Sequence, residues 1–435
     1  MYIFDQNTIQ KRRERLNKSF QNTVPNDALV LFFSGEPTTK PGGFDQSYPF
    51  LPHPEYYWIS GLRRAWGVVA YSKNEGFVDF IQPITADEVL WEGASGDLRG
   101  KNISELEAWI KKSNFKEVFI FGQDEQNQNN GKQYSLPVKA EGQKFLDLKE
   151  TLNLVRRVKD TAEIELVKRC AKAALAGYQV LEKYIQAGVS ERDIQLTYES
   201  AVLKAGADKF PYDSIVGSGI NAAILHAIPT KKIVEKGELV LIDAGADIED
   251  YCVDITRCYP TNGKFNEKQQ AIYDIVLKAQ EKCISMCQPG TEWSEVHNTA
   301  GRVMAQGLKD LNIFNCSADE ALETGAISVF FPHGVGHLVG LRVRDVGGVA
   351  NKPVQKFNGV NLRVNFALQE NYLITVEPGL YFVKALIENQ ELRSKHQNSI
   401  NWNEVEKWRS VGGVRIEDDI LVGSTPQNLT SIVKK

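Results

Sequence analysis

The feature that most constrains the fold is a succession of helix signals that occurs twice, about a hundred residues apart. The first copy begins at Asp160, a typical helix N-cap. Its long amphipathic segment stops near Gly188, and a second helix opens at Ser190. The second copy is a long segment over 265–290, followed by a shorter helical segment over 291–308. The sequence therefore predicts two pairs of consecutive helices.

The two copies keep a constant offset of 102 residues. The matched pairs are Gly188 with Gly290, Ile194 with Val296, and Val202 with Met304. Chance similarity between amphipathic helices is one explanation, and an internally duplicated α+β domain is the other, which we favour. Such a domain would place its site between the two halves, where residues of both converge.

The residues before the repeat predict a smaller, mixed α/β domain. A charged segment over 5–16 is helical, and apolar runs separated by Gly, Pro and Asn are typical of strands. These runs cover 28–33, 66–71, 77–81 and 118–121. The polar stretch 124–133 has no periodicity and is interpreted as a surface loop. Near Leu152 the spacing of apolar residues changes from short, strand-like runs to a long helical pattern. We therefore predict domains over 1–151 and 152–435.

Charge and hydropathy argue against several classes of protein. The net charge is −4, and no stripe of Lys and Arg indicates a nucleic-acid partner. The N-terminal stretch lacks the apolar region and cleavage site of a signal peptide, and no run reaches the ~18 apolar residues of a membrane span. The 6 cysteines form no CxxC pair, which favours reduced, buried thiols over a zinc–thiolate site. We therefore expect a cytoplasmic protein that acts on a small or polar substrate.

Two aspartates lie on the two strands of a predicted hairpin. An apolar strand ends before Asp243, a turn covers 247–250, and a second strand covers 252–258. If the hairpin is centred between residues 248 and 249, Asp243 faces Asp254 with Cβ atoms about 4.5–5.5 Å apart. Two like charges this close require a shared proton, a cationic side chain or a metal ion.

Two glutamates lie at comparable places farther along the chain. Glu377 follows an apolar strand and precedes Pro378 and Gly379, where the chain turns away. Around Glu417, the apolar residues Val414 and Ile416 alternate with charged residues. Glu417 therefore lies on the same strand face as Arg415. Taken alone, each glutamate is more often an exposed charge than a ligand.

Three histidines are further candidates. His333 and His337 lie in the Gly-rich stretch 330–348, whose Pro and Gly residues exclude a regular helix and hence the HExxH zinc motif. His226 lies in a separate segment. Each would more often be a structural residue than a ligand.

The candidate donors are more informative as a set: they are four carboxylates and one imidazole, on Asp243, Asp254, His337, Glu377 and Glu417. Their charge of about −4 would be balanced by two divalent cations, which would let the cluster be buried. Oxygen-rich sites with one imidazole suit Mn²⁺, and Co²⁺ or Zn²⁺ can also enter. Two ions about 3.5–4 Å apart can share a water and clamp a substrate oxygen.

The order Asp, Asp, His, Glu, Glu is carried by LIDAGADIEDYCVDITR, HGVGH, VEPGLYF and GGVRIEDD. It resembles the pita-bread metallopeptidases, which include methionine aminopeptidase, aminopeptidase P and prolidase. The N-terminal domain is similar in size to that of the Xaa-Pro enzymes. The resemblance implies a duplicated pita-bread domain. It also implies hydrolysis, by a metal-bridging hydroxide, of the bond between an N-terminal residue and a proline in second position. Aminopeptidase P and prolidase are not separated by these motifs.

The resemblance also implies roles for individual residues. Asp243 would chelate one metal ion, and Asp254 and Glu417 would bridge both. His337 and Glu377 would complete the second ion.

Other roles concern the substrate. Glu377 matches the general base. His226 and His333 match histidines that stabilise the tetrahedral intermediate or hold substrate. Tyr381 and Arg415 match positions that contact the substrate or the metal ligands.

One position departs from the family pattern. Seven residues after the metal-binding histidine these enzymes usually carry a second histidine, where this chain has Arg344. A guanidinium cannot act as a general acid but can hold a carboxylate, so we expect a preference for a free C-terminal carboxylate. Trp91 lies in a segment similar to one that approaches the site of a neighbouring subunit in this family. The resemblance also implies a homo-oligomer, either a dimer or a tetramer.

Two other classes remain as alternatives. A metal-free amidinohydrolase that resembles creatinase shares the fold but not a complete ligand set. A non-catalytic interaction protein on the same scaffold would normally have lost ligands. All five predicted ligands are present in this chain.

Overall fold

The computed structural model describes residues 2–43, 45–122, 136–349 and 356–435, and these form two units. The units are Met1–Arg156 and Arg157–Lys435. The surface loop predicted over 124–133 lies outside the described residues.

The first unit is built on one mixed sheet of six strands, with the order β4-β3-β2-β1-β5-β6. Its strands are β1 Ala28–Phe33, β2 Val68–Ser72, β3 Gly76–Ile81, β4 Lys101–Asn102, β5 Glu117–Phe121 and β6 Val138–Lys139. Its helices are α1 Gln6–Thr23, α2 Pro54–Ser60, α3 Ala86–Glu92, α4 Leu106–Ser113 and α5 Gln143–Arg157. The mixed α/β prediction is confirmed. Helix α1 runs one turn and more beyond the predicted segment because Phe20 continues the buried face of Leu16.

The second unit contains the repeated helices, which are α6 Thr161–Tyr184, α7 Glu191–Lys204, α8 Glu267–Ser285 and α9 Trp293–Asp310. Four shorter helices follow them, which are α10 Ala318–Glu323, α11 Lys384–Ile387, α12 Gln390–Lys395 and α13 Trp402–Trp408. Two 3₁₀ turns also lie in this part of the chain, at Ala326–Val329 and Arg409–Val411. Capping boxes start α6 at Asp160 and α7 at Ser190, as the sequence predicts.

The strands of this unit form two three-stranded sheets and several short pairs. They are β7 Ile215–Ser218, β8 Leu239–Asp243, β9 Asp247–Ile248, β10 Tyr251–Cys252, β11 Thr256–Pro260, β12 Lys356–Phe357, β13 Val360–Asn361, β14 Leu373–Val376, β15 Gly379–Tyr381, β16 Gly413–Arg415, β17 Asp418–Leu421 and β18 Gln427–Asn428. The sheets have the orders β11-β8-β7 and β14-β17-β18. The pairs are β9 with β10, β12 with β13, and β15 with β16.

The two helix pairs have equivalent surroundings, which confirms the duplicated α+β class. Helix α6 packs on α7, and α8 packs on α9. Gly188 and Gly290 both adopt positive φ, 99° and 90°. Isolated bridges join Ser190 to Ile233 and Glu292 to Ala367, so the first partners keep the offset of 102 residues. The matched apolar positions of both copies are buried.

The predicted hairpin register is wrong by two residues. Thr256, not Asp254, pairs with Asp243, and the turn is centred between Glu249 and Asp250. Both turn residues have positive φ, 53° and 66°, which a two-residue type I′ turn requires. A shift of two keeps each side chain on its predicted face, because strand side chains alternate with a period of two. Among the described residues, no helix combines the length and hydropathy that crossing a bilayer requires.

Candidate metal centre

The five predicted ligands lie at the ends of strands or in the short links between them. Asp243 is the last residue of β8, and Asp254 lies in the link between β10 and β11. Glu377 follows β14 directly, as predicted, and Glu417 lies between β16 and β17. His337 lies in an irregular segment without helix, as its glycines indicate. Strand ends let side chains from separate parts of the chain meet while the backbone stays hydrogen-bonded.

The segment that carries His337 is fastened to β14. The Thr375 N–H donates to the His337 carbonyl at 2.8 Å, and the His337 N–H donates to Thr375 Oγ1 at 3.1 Å. A Cβ on Gly336 would lie 2.0 Å from the Thr375 carbonyl oxygen, so only glycine permits this close approach. The approach brings the imidazole next to Glu377.

The structure brings the five side chains together. Ligand atoms of Asp254, His337 and Glu417 all lie within 4.8 Å of one another. His337 Nε2 is 3.4 Å from Asp254 Oδ2 and 3.8 Å from Glu377 Oε1. Asp243 joins the group through a shared partner described below. The sequence predicts these five residues as one set, and the structure gives the distances between them.

Tyr212 is a member of the cluster that the sequence analysis missed. Its hydroxyl lies 2.6 Å from Asp243 Oδ1 and 2.5 Å from Asp254 Oδ1. One phenolic proton therefore serves two carboxylates. Burial and then the charges of Asp243 and Asp254 raise the pKa of Tyr212 well above its usual value, so the phenol stays protonated. Nothing in the segment around Tyr212 marks it as a partner of residues 31 and 42 positions away.

The orientation of His337 suits a metal ligand. Its Nδ1 lies 3.1 Å from the Leu338 carbonyl oxygen, so Nδ1–H is the donor and Nε2 faces the carboxylates. Metal-binding histidines are typically oriented by such a backbone hydrogen bond. Burial opposes protonation of the ring, but the contacts with Asp254 and Glu377 outweigh burial and raise the pKa of His337.

The carboxylates are costly to hold charged in this environment. Burial, opposed by Arg415, raises the pKa of Asp243 to about 6, and burial raises the pKa of Glu377 to about 7. Burial and the neighbouring carboxylates raise the pKa of Glu417 well above its usual value. Asp254 differs, because its contacts with His337 and Tyr212 outweigh burial and lower its pKa. The cluster as a whole favours a bound positive charge.

Glu417 provides a direct test of whether a metal ion fits. Its Oε2 accepts a hydrogen bond from Thr256 Oγ1 at 2.7 Å. Its Oε1 is buried, and among the described residues it has no hydrogen-bond partner. Buried carboxylate oxygens are normally satisfied by a donor or a cation. With three further carboxylates and one imidazole beside it, this atom fits divalent cations that prefer oxygen ligands.

A hydrogen-bonded chain supports one side of the cluster. Arg415 donates to Asp243 Oδ2 at 2.5 Å and to the hydroxyl of Tyr381 at 2.9 Å. Tyr381 lies 2.9 Å from His333 Nε2, while His333 Nδ1 lies 2.8 Å from the Gly334 carbonyl. Because Nδ1 must donate to that carbonyl, Nε2 accepts from Tyr381. The donors therefore run in one direction, from Arg415 through Tyr381 to His333.

The cluster lies against a cavity of about 710 Å³ inside the second unit. His226 and Arg344, both exposed, line it together with Arg363. Leu225 and Ile228 give part of its wall an apolar character. Arg363 was not singled out from the sequence, since an arginine in an irregular segment carries no spacing signal. Trp91, in the first unit, is 81% exposed on α3, and its proposed approach to a neighbouring subunit stays a prediction.

Comparison with known proteins gives matches to both units. The profile of metallopeptidase family M24 matches residues 165–424, and that of the aminopeptidase P N-terminal domain matches residues 9–130. A probable Xaa-Pro aminopeptidase from Podospora anserina is 30% identical, over 98% of this chain and 95% of its own. One from Sclerotinia sclerotiorum is 32% identical, over 93% of this chain and 75% of its own.

A solved structure agrees over nearly the full length. Aminopeptidase P from E. coli with the inhibitor Pro-Leu aligns with a TM-score of 0.80 at 25% identity, covering 99% of this chain and 96% of the other. The duplicated pita-bread unit and the acidic cluster on its strand ends place the protein among the metallopeptidases. The chain belongs to metallopeptidase family M24, and membership implies divalent metal ions.

Proposed function

We propose that this metallopeptidase hydrolyses the bond between an N-terminal residue and a proline in second position, with two divalent metal ions, Mn²⁺ being the expected ion. The observation that carries the proposal is the convergence of four carboxylates and one imidazole at the cavity. The similarity to proteins named Xaa-Pro aminopeptidases supports the choice of substrate.

The residues divide between holding the ions and handling the substrate. Asp243 would hold one ion, Asp254 and Glu417 both, and His337 with Glu377 the other. When bound, two divalent ions would lower the pKa of a shared water and polarise the substrate carbonyl.

Two residues would handle protons and oxygens of the substrate. Glu377 lines the cavity with its Oε1 3.8 Å from His337 Nε2, and a carboxylate at this place can accept a proton and return it. His226 is exposed at the cavity and can donate to a substrate oxygen. His333 Nδ1 lies 3.9 Å from Glu377 Oε2, and His333 Nε2 accepts from the Tyr381 hydroxyl, which itself accepts from Arg415.

A peptide panel tests the activity. Xaa-Pro dipeptides, longer Xaa-Pro peptides and matched Xaa-Ala peptides are incubated with Mn²⁺-loaded protein, and release of the N-terminal residue is measured. We expect cleavage before proline and loss of about 10²–10⁴-fold in Glu377→Gln. Glu370→Gln, an exposed glutamate seven residues earlier, is the matched control and should retain activity.

Three outcomes would contradict the proposal. Equal cleavage of the Xaa-Ala peptides would remove the proline preference. Activity that survives exhaustive chelation would favour the metal-free alternative. Full activity in Glu377→Gln would remove its role as the proton acceptor.

Arg344 bears on the choice between aminopeptidase and dipeptidase. It lines the cavity with Arg363, and burial followed by the charge of Arg344 lowers the pKa of Arg363. Two neighbouring guanidinium groups favour an anion, and we propose that they hold the C-terminal carboxylate of a short substrate. The proposal predicts a preference for dipeptides.

Exchange of this one residue tests the preference. Arg344→His should lower kcat/KM on Xaa-Pro dipeptides by about tenfold relative to longer Xaa-Pro peptides. Arg302→His, whose residue is exposed and pairs with Asp319 outside the cavity, is the control. An unchanged ratio between dipeptides and longer peptides in Arg344→His would remove the idea.

We further propose a cytoplasmic location and a homo-oligomer, either dimer or tetramer. All six cysteines are buried and free, which fits a reducing compartment. Light scattering during size-exclusion chromatography measures the oligomeric state, and a monomeric mass would contradict the second proposal.

A further inference from the structure

The stretch that carries His226 has little backbone support of its own. It covers residues 219–229, here called the His226 loop, between the end of β7 and Thr230. A single 3₁₀ turn, Gly219–Ala223, occupies its first part. Within the described part of the chain, residues 225–229 make no backbone–backbone hydrogen bond. Ala227 packs in the core of the unit, so the position of His226 depends on that contact and on how the two ends of the loop are held.

Both ends of the His226 loop are held by one side chain. Glu191, the first residue of α7, is fully buried. Its Oε1 accepts from the Ser218 N–H, the Ser218 hydroxyl and Asn221 Nδ2, each at 2.9 Å. Its Oε2 accepts from the Thr230 hydroxyl at 2.7 Å and from the Thr230 N–H at 3.3 Å. One carboxylate thus joins the start of the loop to its end.

The charge of Glu191 strengthens this arrangement. Burial alone would raise its pKa, but the hydrogen bonds from Ser218, Asn221 and Thr230 outweigh burial and lower it. Hydrogen bonds to an ionised acceptor are about twice as strong as neutral ones. The carboxylate also lies at the N-terminus of α7, where the helix dipole favours a negative charge.

Glu191 has no place in the cavity itself. The cavity wall includes its neighbour Arg192 and the loop residues His226 and Ile228, but not Glu191. Any effect of Glu191 on the reaction must therefore pass through the residues that it holds.

We propose that Glu191 is a positioning residue for the reaction: by fixing both ends of the His226 loop, it holds His226 at the cavity. The proposal rests on the proposed function, which gives His226 its role at a substrate oxygen. A displacement of about 1 Å at such a group can cost about a hundredfold in rate.

The test is a double-mutant cycle between Glu191 and His226. Glu191→Gln keeps the shape but places an NH₂ group among donors, so bonds to Ser218 or Thr230 are lost. With His226 present, we expect kcat/KM on an Xaa-Pro peptide to fall about tenfold, mainly in kcat. In a His226→Ala background, Glu191→Gln should change kcat/KM by less than about twofold.

Glu267→Gln is the matched control. Glu267 is also the first residue of its helix, α8, but it is exposed, and the same charge is lost there without a loop contact. This variant should leave both the kinetics and the loop unchanged. Equal losses from Glu191→Gln in both backgrounds would overturn the proposal, because a general structural defect would not depend on His226.

Hydrogen exchange provides a readout that does not depend on activity. Amides of residues 219–229 should exchange about tenfold faster in Glu191→Gln, while those of β8 should not change. Unchanged exchange in the His226 loop would overturn the proposal. If His226→Ala alone left cleavage unaffected, the role of His226 in the proposed function would be wrong. Faster exchange in Glu191→Gln would still show that Glu191 holds both ends of the His226 loop. If Glu191→Gln did not fold, the same measurements would be made on Thr230→Val, which removes the hydroxyl that donates to Glu191 and accepts from the Lys232 N–H.

Discussion

His297 is a buried histidine outside the metal centre, and its titration should be visible in the stability of the protein. It lies on α9, 1% exposed, with its ring 5.2 Å from that of Phe331. Its Nδ1 has no hydrogen-bond partner among the described residues. Burial lowers the pKa of His297 from 6.5 to about 4.

The sign of the pH effect follows from linkage. Below pH 6.5 the unfolded chain binds a proton at this position, whereas the folded chain binds it only near pH 4. Stability should therefore fall as the pH falls from 6.5 to about 4, and be unaffected above that range. At pH 5 the loss from this one residue is about 2 kcal/mol.

Replacement of His297 isolates its contribution. His297→Gln cannot titrate, so the difference in unfolding free energy between wild type and variant should narrow by about 2 kcal/mol from pH 7.5 to pH 5. Denaturant unfolding of both proteins at the two pH values measures this difference. A difference that stays constant with pH would contradict the assigned burial of the neutral ring.

Single residues also show which parts of the centre a sequence can reveal. Asp243 and Asp254 could be singled out because two carboxylates that face each other beside an apolar strand require a partner, whereas Glu377 and Glu417 became candidates only as members of the set of five. Tyr212 was not, since a phenol has no spacing that marks it and acquires its role only when folding brings Asp243 and Asp254 to it. Glu191 was recognisable only as a residue in a helix start, not as the partner of Ser218 and Thr230.

At the scale of elements, the hairpin between β8 and β11 shows where local rules stop. Its strands and its turn were predicted, but the register was placed two residues away. The sequence around 247–250 offers several turn centres, and the selection depends on which residues accept positive φ. Glu249 and Asp250 do so in the structure, which fixes the pairing. The faces of the side chains were still predicted correctly, because the register error was two residues and strand side chains alternate with a period of two.

The start of the second unit is joined to the segment that follows His337 by a buried ion pair. Lys159, just before the cap of α6, lies 2.6 Å from Asp345, and their side chains are 2% and 3% exposed. Asp345 directly follows Arg344, so the pair fastens the segment that carries this cavity residue. Removal of one partner of a buried pair typically costs about 3–5 kcal/mol.

Single and double variants of Lys159 and Asp345 measure how far the stability of the protein depends on the two charges being present together. Lys159→Met should lower the free energy of unfolding by about 3–5 kcal/mol, and the double variant Lys159→Met with Asp345→Asn should recover part of this loss. Denaturant unfolding of the full chain measures both. Lys168→Met, at an exposed pair with Glu165, is the control and should cost no more than about 1 kcal/mol. Equal losses of unfolding free energy in the single and double variants would show that Asp345 is not destabilising when Lys159 is replaced.

At the scale of the whole molecule, the chain combines two units with different electrostatic requirements. The acidic cluster belongs entirely to the second unit, Arg157–Lys435, and the first unit has its own mixed sheet and core. A ligand that binds only the folded state stabilises the unit that forms its site. Bound cations should therefore stabilise the second unit directly.

Metal removal should accordingly lower the unfolding temperature of the second unit. A thousandfold excess of free Mn²⁺ over its dissociation constant would add about 4 kcal/mol to the stability of that unit for each ion bound. Differential scanning calorimetry, combined with hydrogen exchange to assign each transition to its unit, compares protein with Mn²⁺ and with chelator. Glu417→Gln replaces a buried ligand oxygen and should reduce the shift, whereas Glu75→Gln in the first unit should not, because it lies outside the acidic cluster. A shift that Glu417→Gln leaves at full size would show that the cations act elsewhere than at the cluster.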